Sequence, residues 1–214
     1  MHLGCSVDGL IGEADRVSAA RLTNGKTLPA QMVIVGIGIA PNVEPLLEAG
    51  AAGGDGVRVD EFCRTSLADI FAIGDCAQHC NRFAGNDWVR LESVQNANDQ
   101  GTIAAKAICG RAEPYAAVPW FWSNQYDLKL QTVGLARGFD DLVVRGDPAT
   151  RSFSVIYLRD RRVIALDCVN APRDYSHGRL LVTSGRPVDR RSLTSLDRPL
   201  KTLLDGRDDR RPPA

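Results

Sequence analysis

The sequence predicts an α/β region followed by an α+β region that is built on an antiparallel sheet. In the first half, the apolar runs at residues 31–38 and 70–75 have the length of buried strands and contain glycine at or near their ends. In the second half, residues 141–169 alternate between apolar and polar side chains, which is typical of antiparallel strands. Because the chain has 214 residues, 44% of them hydrophobic, we expect more than one compact unit.

The composition argues against several classes of partner. The 26 basic and 26 acidic side chains cancel, so the chain has no general attraction to nucleic acid or to an anionic membrane. No apolar run approaches the roughly 20 residues of a membrane helix, and "MHLGCSVDGL" lacks the regions of a secretory signal. We expect a cytoplasmic protein. The arginines at residues 159–162 and 206–211 fit either a solvated turn and a frayed tail or a docking patch for an acidic partner.

The first elements are a hairpin, a strand and a short helix. The pair Asn24-Gly25 predicts a turn between strands, and "QMVIVGIG" at 31–38 predicts a buried strand. Gly36 and Gly38 at the end of that strand would let the backbone approach a ligand closely, although many tight turns have the same pattern. The following "APNVEPLLEAG" predicts a helix that ends at Gly50.

The second apolar run ends in a carboxylate. The segment "GVRVDEFCRTS" predicts a short strand and a turn, and "IFAIGD" predicts a strand buried on both faces that ends at Gly74. Ligands of open α/β sheets lie beyond the carboxyl ends of the strands, where Asp75 follows directly. The pattern fits equally well an Asp75 that caps the next turn.

Cysteines and a histidine follow that carboxylate. The segment "CAQHC" offers Cys76, His79 and Cys80 as possible metal ligands or as a redox pair. A second ligand cluster with zinc-finger spacing is missing from the sequence, and nothing in it indicates the lowered thiol pKa of a redox pair. The sequence therefore favours buried, structural thiols and no metal.

A helix is predicted from Glu92 to Cys109, with Ser93 near its start and Gly110 as its stop. Its first half contains Asn96, Asn98 and Asp99, which are poor residues for a helix interior, so we expect this turn to be kept for what its amides or side chains contact. The amino end of a helix favours negative charge, and an electron-rich ring would be a suitable neighbour.

The composition changes after residue 113. The segment "WFWSNQYDLKLQTVG" and the alternating runs "DLVVRG", "SFSVIYLR" and "RVIALDCV" predict an antiparallel sheet, with "RDRR" turning between the last two. Residues 172–185 predict a helix with Leu180 and Leu181 facing inward, and residues 205–214 predict a disordered tail.

The ordered set of motifs resembles a known family. In the expected order, the chain contains "VIVGIGIAPNVE", "TSLADIFAIGDCA", "VRLESVQNANDQG", "VPWFWSNQYDLKLQTVG", "VVRGD", "FSVIYLRD" and "VNAPRDYSHGRLL". Over residues 16–204 it resembles the carboxyl-terminal part of oxygenase-coupled, FAD-dependent NAD(P)H:ferredoxin reductases of the putidaredoxin reductase type, within the pyridine nucleotide-disulfide oxidoreductase superfamily. The specificity lies in the order of the motifs, since no single one suffices.

The resemblance implies a domain organisation. Residues 1–40 would end an NAD(P)-binding domain, 41–113 would close an FAD-binding domain, and 114–204 would form the carboxyl-terminal reductase domain, with 205–214 as the tail. The family's two glycine-rich "GxGxxG" loops do not occur in this sequence. The resemblance therefore implies a truncated reductase.

The resemblance also implies a set of cofactor-binding residues. Gly74 and Asp75 would belong to the flavin site, with Asp75 accepting hydrogen bonds from the ribityl chain, and Trp122 would lie beside the isoalloxazine ring. The helix amino end would face the pyrimidine edge of the flavin through Ser93, Val94 and Gln95. Glu92 would lie near the carboxamide of the nicotinamide, whose half of the dinucleotide would be approached by Gly36, Ile37 and Gly38. Trp88, Trp120, His79 and Cys80 would be structural.

The implied activity is an FAD-dependent oxidoreductase. Electrons would pass from NAD(P)H through FAD to a small iron-sulfur protein of the ferredoxin or rubredoxin type, and no side chain needs to act as a catalytic acid or base. The alternative is a non-catalytic fragment that acts at most as a folding or interaction module. A yellow preparation would favour the flavoprotein.

Overall fold

The computed structural model describes residues 1–204, which form two compact units, one of residues 1–40 and one that begins at Pro41. The tail predicted at 205–214 lies outside the described residues. The division predicted near residue 113 falls inside the second unit, and the assignment of these regions to cofactor-binding domains stays a prediction. No helix among residues 1–204 has both the length and the apolar character needed to cross a membrane.

The first unit is a three-stranded antiparallel sheet. The strands β1 (Val7–Glu13), β2 (Arg16–Leu22) and β3 (Thr27–Pro29) lie in that order. The predicted turn joins β2 to β3, because Gly25 has a φ of +82° and the Asn24 side chain accepts a hydrogen bond from the Lys26 amide at 3.1 Å. The hairpin prediction is confirmed, whereas β1 was not predicted.

The strand predicted at residues 31–38 is wrong. This segment is irregular, and its apolar side chains are exposed, Met32 by 77%, Ile34 by 89% and Ile37 by 90%. A β-strand needs a neighbour to take up its backbone hydrogen bonds, and no strand within residues 1–204 pairs with this segment. An apolar run therefore does not form a strand by itself.

The second unit opens with a small mixed sheet and its helices. The helix α1 (Glu44–Glu48) ends before Gly50, as predicted, and β4 (Val57–Val59) is the expected short strand. It pairs in parallel with β5 (Ala77–Asn81), which forms a hairpin with β6 (Asp87–Arg90) that was not predicted. The long helix α2 (Val94–Ile108) follows, within one or two residues of its predicted bounds.

The doubly buried strand predicted in "IFAIGD" is wrong. Only one isolated bridge, between Arg64 and Phe71, involves these residues, and Ile73 is 42% exposed while Ala72 is buried. A strand flanked on both sides would bury both of these side chains. Two flanking strands do not occur here among the described residues. Gly74 still ends the apolar run, as expected.

The rest of the second unit is the predicted antiparallel sheet. Its strands are β7 (Trp120–Gln125), β8 (Leu128–Gly134), β9 (Asp141–Asp147), β10 (Ser152–Arg159) and β11 (Arg162–Val169), in the spatial order β7-β8-β11-β10-β9. The helices α3 (Pro172–Ser184) and α4 (Arg190–Thr194) and a 3-10 turn (Leu200–Leu204) follow. The core between them is formed by fully buried side chains such as Val133, Ile156, Leu166, Leu181 and Leu193.

One detail of α3 is corrected. Leu181 is 1% exposed, as predicted, but Leu180 is 49% exposed. Successive residues of an α-helix are rotated by about 100° around its axis, so two neighbours rarely share the centre of one buried face.

Candidate functional site

Gly74 and Asp75 form a tight turn at the end of the apolar run. Residues Gly74–Cys76 make a 3-10 turn in which Gly74 is buried and has a φ of +72°. Its amide donates a hydrogen bond to Gln100 Oε1 at 2.7 Å, and a side chain at position 74 would begin 3.3 Å from the Ala97 side chain. Both the backbone angle and the close approach to α2 favour glycine here.

Asp75 presents its carboxylate to solvent. The residue is exposed, and among residues 1–204 its carboxylate accepts no hydrogen bond, so it does not cap the turn that follows. Its backbone carbonyl, by contrast, accepts a hydrogen bond from Arg90 Nη1 at 2.9 Å. The turn is thus held by its backbone, while the acidic group stays available to a ligand that carries hydroxyl donors.

Arg90 links this turn to Glu92. The Arg90 side chain is 9% exposed, and the same Nη1 lies 2.7 Å from Glu92 Oε1. Its buried Nε has no hydrogen-bond partner in the described part of the chain and lies 3.6 Å from Asp55 Oδ2. The buried Arg90 guanidinium therefore contacts both the Asp75 carbonyl and the half-exposed Glu92 carboxylate and holds them in position. Sequence reasoning missed Arg90, although an arginine two residues before a candidate carboxylate was a signal to examine.

The amino end of α2 lies next to these residues. Ser93 caps the helix by accepting a hydrogen bond from the Asn96 amide at 3.1 Å, and Val94 is 58% exposed. Gln95 is buried, and its Oε1 accepts a hydrogen bond from the Trp120 amide at 3.3 Å. The Gln95 side chain thus fastens β7 to the helix, and any ligand at this end would meet the backbone of the first turn and Val94.

The polar residues inside α2 have specific partners. Asn96 is fully buried, and its side chain donates to the Leu91 carbonyl at 3.0 Å and accepts from the Tyr115 hydroxyl at 2.9 Å. Burial raises the pKa of Tyr115 to about 12. The expectation that this polar turn is kept for its contacts is confirmed for Asn96, whereas Asn98 is exposed.

His79 and Gln100 complete a buried polar row behind the turn. His79 is 3% exposed, with Nδ1 at 3.3 Å from Gln100 Nε2 and Nε2 at 3.0 Å from Asn81 Nδ2. Burial lowers the pKa of His79 below its ordinary value of 6.5. Both ring nitrogens thus face protein amides and neither is directed to a metal. Gln100 was not predicted, since an internal glutamine of a helix has no distinctive pattern.

Two family models match the chain. Residues 1–101 match the pyridine nucleotide-disulphide oxidoreductases, and residues 120–204 match the carboxyl-terminal domain of reductases. Together these two matches resemble the order of domains in putidaredoxin reductase-like ferredoxin reductases, to which the chain is similar. It spans about half the length of the curated relatives that it matches.

Curated relatives and solved structures agree on this family. The chain is 60% identical to the ferredoxin reductase subunit of the 5,5'-dehydrodivanillate O-demethylase of Sphingobium, over 95% of this chain and 50% of that protein. It is 39% identical to putidaredoxin reductase of Pseudomonas putida, over 90% of this chain and 45% of that protein. The ferredoxin reductase for the CYP199A2 system from Rhodopseudomonas palustris superposes with a TM-score of 0.87 at 41% identity, over 94% of this chain and 50% of that one.

A second solved structure includes a protein partner. The putidaredoxin reductase chain of a covalent putidaredoxin reductase–putidaredoxin complex matches with a TM-score of 0.88 at 39% identity, over 94% of this chain and 49% of that one. The match extends from the α/β segment into the antiparallel sheet, so the order of elements in this chain is that of a ferredoxin reductase.

Two of the cysteines are buried in the protein, and two others bond local backbone carbonyls. All six thiols are free, and burial raises the pKa of both Cys63 and Cys168 to about 11, which keeps them protonated and unreactive. Cys76 donates to the Ile73 carbonyl at 3.4 Å, and Cys80 to the Asn86 carbonyl at 3.1 Å. These two thiols therefore serve the local turns.

Two tryptophans stack at the start of the reductase sheet. The ring centres of Trp120 and Trp122 lie 5.5 Å apart with planes tilted by 31°. Trp120 packs against the core of the sheet, as expected of a structural ring, whereas Trp122 is 37% exposed. Trp88 is 41% exposed beneath the Arg58 guanidinium. The partly exposed Trp122 ring, stacked on a ring that packs against the core, offers an aromatic face to a planar ligand.

The remaining candidate residues lie in the first unit. Gly36, Ile37 and Gly38 belong to the irregular segment after β3, where Gly38 has a φ of +107° and Ile37 is exposed. The second unit contains the other seven candidates; Gln100 bonds Gly74, and Arg90 contacts both Asp75 and Glu92. A role of residues 36–38 towards a nicotinamide stays a prediction.

Proposed function

We propose that this chain is part of an FAD-dependent oxidoreductase that passes electrons from NAD(P)H through FAD to a small iron-sulfur protein of the ferredoxin or rubredoxin type. The relatives named ferredoxin reductase support the reaction class. The single observation that carries the proposal for this chain is the exposed Asp75 carboxylate, which has no hydrogen-bond partner within residues 1–204 and stands on a turn fixed by Gln100 and Arg90.

The residues of the second unit fit one part of FAD. A carboxylate without a partner accepts hydrogen bonds from the ribityl hydroxyls, and the capped amino end of α2 suits the electron-rich pyrimidine edge of the ring. The pyrophosphate requires a glycine-rich loop at a helix amino end, and this sequence contains no "GxGxxG". The chain thus fits the ribityl and ring portions of the cofactor.

Each candidate residue has a role in this proposal. Asp75, on the Gly74 turn, holds the ribityl chain, and the first turn of α2 with Ser93, Val94 and Gln95 borders the ring. Trp122 lies beside the ring, and Glu92, held by Arg90, receives the nicotinamide carboxamide. The role proposed for Gly36, Ile37 and Gly38 of the first unit is to approach the nicotinamide half of the dinucleotide. FAD itself supplies the acceptance of hydride and the release of single electrons, so the chain supplies position and charge.

The partners and the location belong to the same proposal. An acceptor of the ferredoxin or rubredoxin type is favoured because relatives are named putidaredoxin reductase and rubredoxin-NAD(+) reductase. NAD(P)H is the electron donor, and the cytoplasm is the location where such a donor and acceptor meet. The alternative is a non-catalytic folding or interaction module. The one observation in its favour is that this sequence contains no "GxGxxG" loop.

Electron transfer by a chimera tests the proposal. The amino-terminal half of the Sphingobium relative is joined to this chain, and reduction of a ferredoxin and of a rubredoxin is followed with NADH and with NADPH. We expect acceptor reduction that depends on added or bound FAD. A folded chimera that carries FAD and oxidises neither nucleotide would contradict the proposal and favour the non-catalytic module.

A further inference from the structure

A row of buried polar groups runs from the Gly74 turn into the protein. The Gly74 amide donates to Gln100 Oε1, the Gln100 amide nitrogen lies 3.3 Å from His79 Nδ1, and His79 Nε2 lies 3.0 Å from the Asn81 amide nitrogen. Gln100 is fully buried, and His79 and Asn81 are 3% and 4% exposed. The proposed function assigns no role to His79 or Asn81.

The orientation of both amide groups is set from their far sides. Gln100 Oε1 accepts from the Gly74 amide at 2.7 Å and from Asn96 Nδ2 at 3.3 Å, so the NH2 group of Gln100 must point to His79. Asn81 Oδ1 accepts from the Phe83 amide at 2.8 Å, so its NH2 group also points to the ring. His79 therefore meets a hydrogen-bond donor at each of its two nitrogens.

The protonation state of His79 decides how well this row fits together. A neutral imidazole has one acceptor nitrogen and one N–H group, so with Nδ1 as the acceptor it receives the Gln100 NH2 group, and its Nε2–H faces the Asn81 NH2 group. Protonation adds an N–H group at Nδ1, which then also faces an NH2 group. This new conflict is relieved when the Gln100 amide turns over, and the Gly74 amide then loses its acceptor.

Among the groups around the ring, His79 is the one whose pKa burial lowers, to below its ordinary value of 6.5. Tyr115 packs edge-on with ring centres 5.1 Å apart, and Cys63 lies in the same cavity of about 420 Å³; their pKa values are raised by burial to about 12 and about 11. The α2 helix presents the uncharged Gln100, and β6 pairs Val89 with His79. The acidic groups that line this cavity are Asp60 and Glu61, and Asp60 accepts hydrogen bonds from the amides of Phe62 and Arg64.

We propose that Gln100 is a positioning residue for the Gly74–Asp75 turn and that neutral His79 keeps Gln100 in the orientation that holds the turn. The inference rests on the proposed function for the link from this turn to FAD. When His79 is neutral, Gln100 receives the Gly74 amide and Asp75 stays in place. When His79 is protonated, Gln100 releases the amide and the turn loosens.

Hydrogen exchange of the Gly74 amide in the 214-residue chain tests the positioning role without any cofactor. The chain has three histidines, so the imidazole signals of His79, His2 and His177 are separable in one nuclear magnetic resonance titration. We expect the protection factor of the Gly74 amide to fall about tenfold as His79 becomes protonated, as expected for the loss of one hydrogen bond. It should not follow the titration of His2 or His177.

Two substitutions at position 100 sharpen the test. Gln100→Leu removes the acceptor, so the Gly74 amide should exchange rapidly at neutral and acid pH alike. In Gln100→Glu, the two carboxylate oxygens accept from Gly74 and from the imidazolium, so protection should persist at acid pH. If protection in the unmodified chain is constant through the titration of His79, the proposal is overturned, whether or not Gln100→Leu folds.

The link to FAD is tested separately in the chimera. Flavin retention should fall with the protonation of His79 in the chimera and stay constant over the same pH range in its Gln100→Glu variant. If Gly74 protection follows His79 while flavin retention does not, the positioning role stands and the assignment of this turn to FAD is wrong. If Gly74 protection does not follow His79, the positioning role is wrong, whatever the flavin does.

Discussion

Arg90 is a single residue on which both acidic positions of the site depend. Its Nη1 contacts the Asp75 carbonyl and the Glu92 carboxylate, and its side chain is almost completely buried. A planar guanidinium can direct separate N–H groups to several acceptors, whereas an ammonium is a compact charge at the end of a flexible chain. The turn and Glu92 are therefore coupled through a group that lysine does not replace.

Arg90→Lys should destabilise the fold although it keeps the charge. Loss of the bridging contacts should reduce the free energy of unfolding by about 1.5 to 3 kcal/mol, the range for hydrogen bonds to charged groups. Chemical denaturation measures this. The matched control is Arg137→Lys, since Arg137 pairs with Asp87 on the surface, where ion pairs contribute about 0 to 1 kcal/mol. Equal effects at the two positions would contradict the role of Arg90.

His79 should make the stability of the chain depend on pH. Burial lowers its pKa in the folded state below the ordinary value of 6.5, so between these two values the unfolded chain binds more protons than the folded chain. The contribution of neutral His79 is complete above pH 6.5 and is lost as the pH falls towards the folded-state pKa. Thermal melts from pH 8 to 5 should show this loss, and His79→Gln should flatten the profile in this window. If the melting temperature of the unmodified chain does not change over this pH range, the prediction is contradicted.

Residues with a backbone signature were predictable, and residues that act through a buried contact were not. Gly74 ends an apolar run and Ser93 precedes a helical pattern, and both occupy the places that these patterns indicate. Gln100 and Arg90 matter because their side chains bond backbone groups that lie 26 and 15 residues away in the chain, the Gly74 amide and the Asp75 carbonyl. A periodic pattern among neighbouring residues gives no information on contacts between residues that lie so far apart in the sequence.

At the scale of elements, the alternating strands were predictable and the uniformly apolar ones were not. The sheet from β7 to β11 supplies its own neighbours within a contiguous stretch of chain, so its alternation is sufficient. Residues 31–38 and 70–73 have strand-like composition but find no flanking strands among the described residues. A buried strand requires flanking strands, and the composition of a segment does not show whether those strands are present.

Arg145 ties the elements of the carboxyl-terminal sheet together. It is 3% exposed, forms a salt bridge with Asp174 of α3 at 3.0 Å, and donates to the carbonyls of Leu193, Ser195 and Arg198. Arg145→Met should cost about 3 to 5 kcal/mol of unfolding free energy, because it removes the charged partner of the partly buried Asp174 carboxylate and the donor to three backbone carbonyls. Denaturation of Arg145→Met and of the Arg145→Met/Asp174→Asn pair checks this, since the pair should recover part of the loss. A double variant that is less stable than the single one would contradict this account.

The two stacked tryptophans of β7 should respond differently to removal. Trp120 packs against the core, so Trp120→Ala should leave a cavity and cost about 3 to 5 kcal/mol of stability. Trp122 is partly exposed, so Trp122→Ala should alter hydride transfer in the chimera more than it alters folding. Stopped-flow reduction by NADH measures the effect of each substitution on hydride transfer, and thermal melts measure its effect on stability. An early melt for Trp122→Ala with the parental reduction rate would invert the assignment of the two rings.

At the scale of the whole molecule, the sequence alone indicated the family through the order of its motifs, and the two family models confirm it. The chain spans about half of its relatives, and its sequence has no "GxGxxG" loop for a pyrophosphate. We expect the isolated 214-residue chain to bind FAD weakly or not at all, because only the ribityl and ring contacts remain. Titration followed by flavin fluorescence measures this, and a submicromolar dissociation constant would contradict the prediction.

The flavin content of chimera variants tests most directly that the Gly74–Asp75 turn is an FAD site. Asp75→Ala is compared with Cys76→Ser and Cys80→Ser, whose thiols contact only local carbonyls. After extensive dialysis, we expect the parental chimera and both cysteine variants to retain FAD and Asp75→Ala to lose most of it, since hydrogen bonds to a carboxylate contribute about 1.5 to 3 kcal/mol each. Full retention of FAD by Asp75→Ala, with loss in either cysteine variant, would contradict the account.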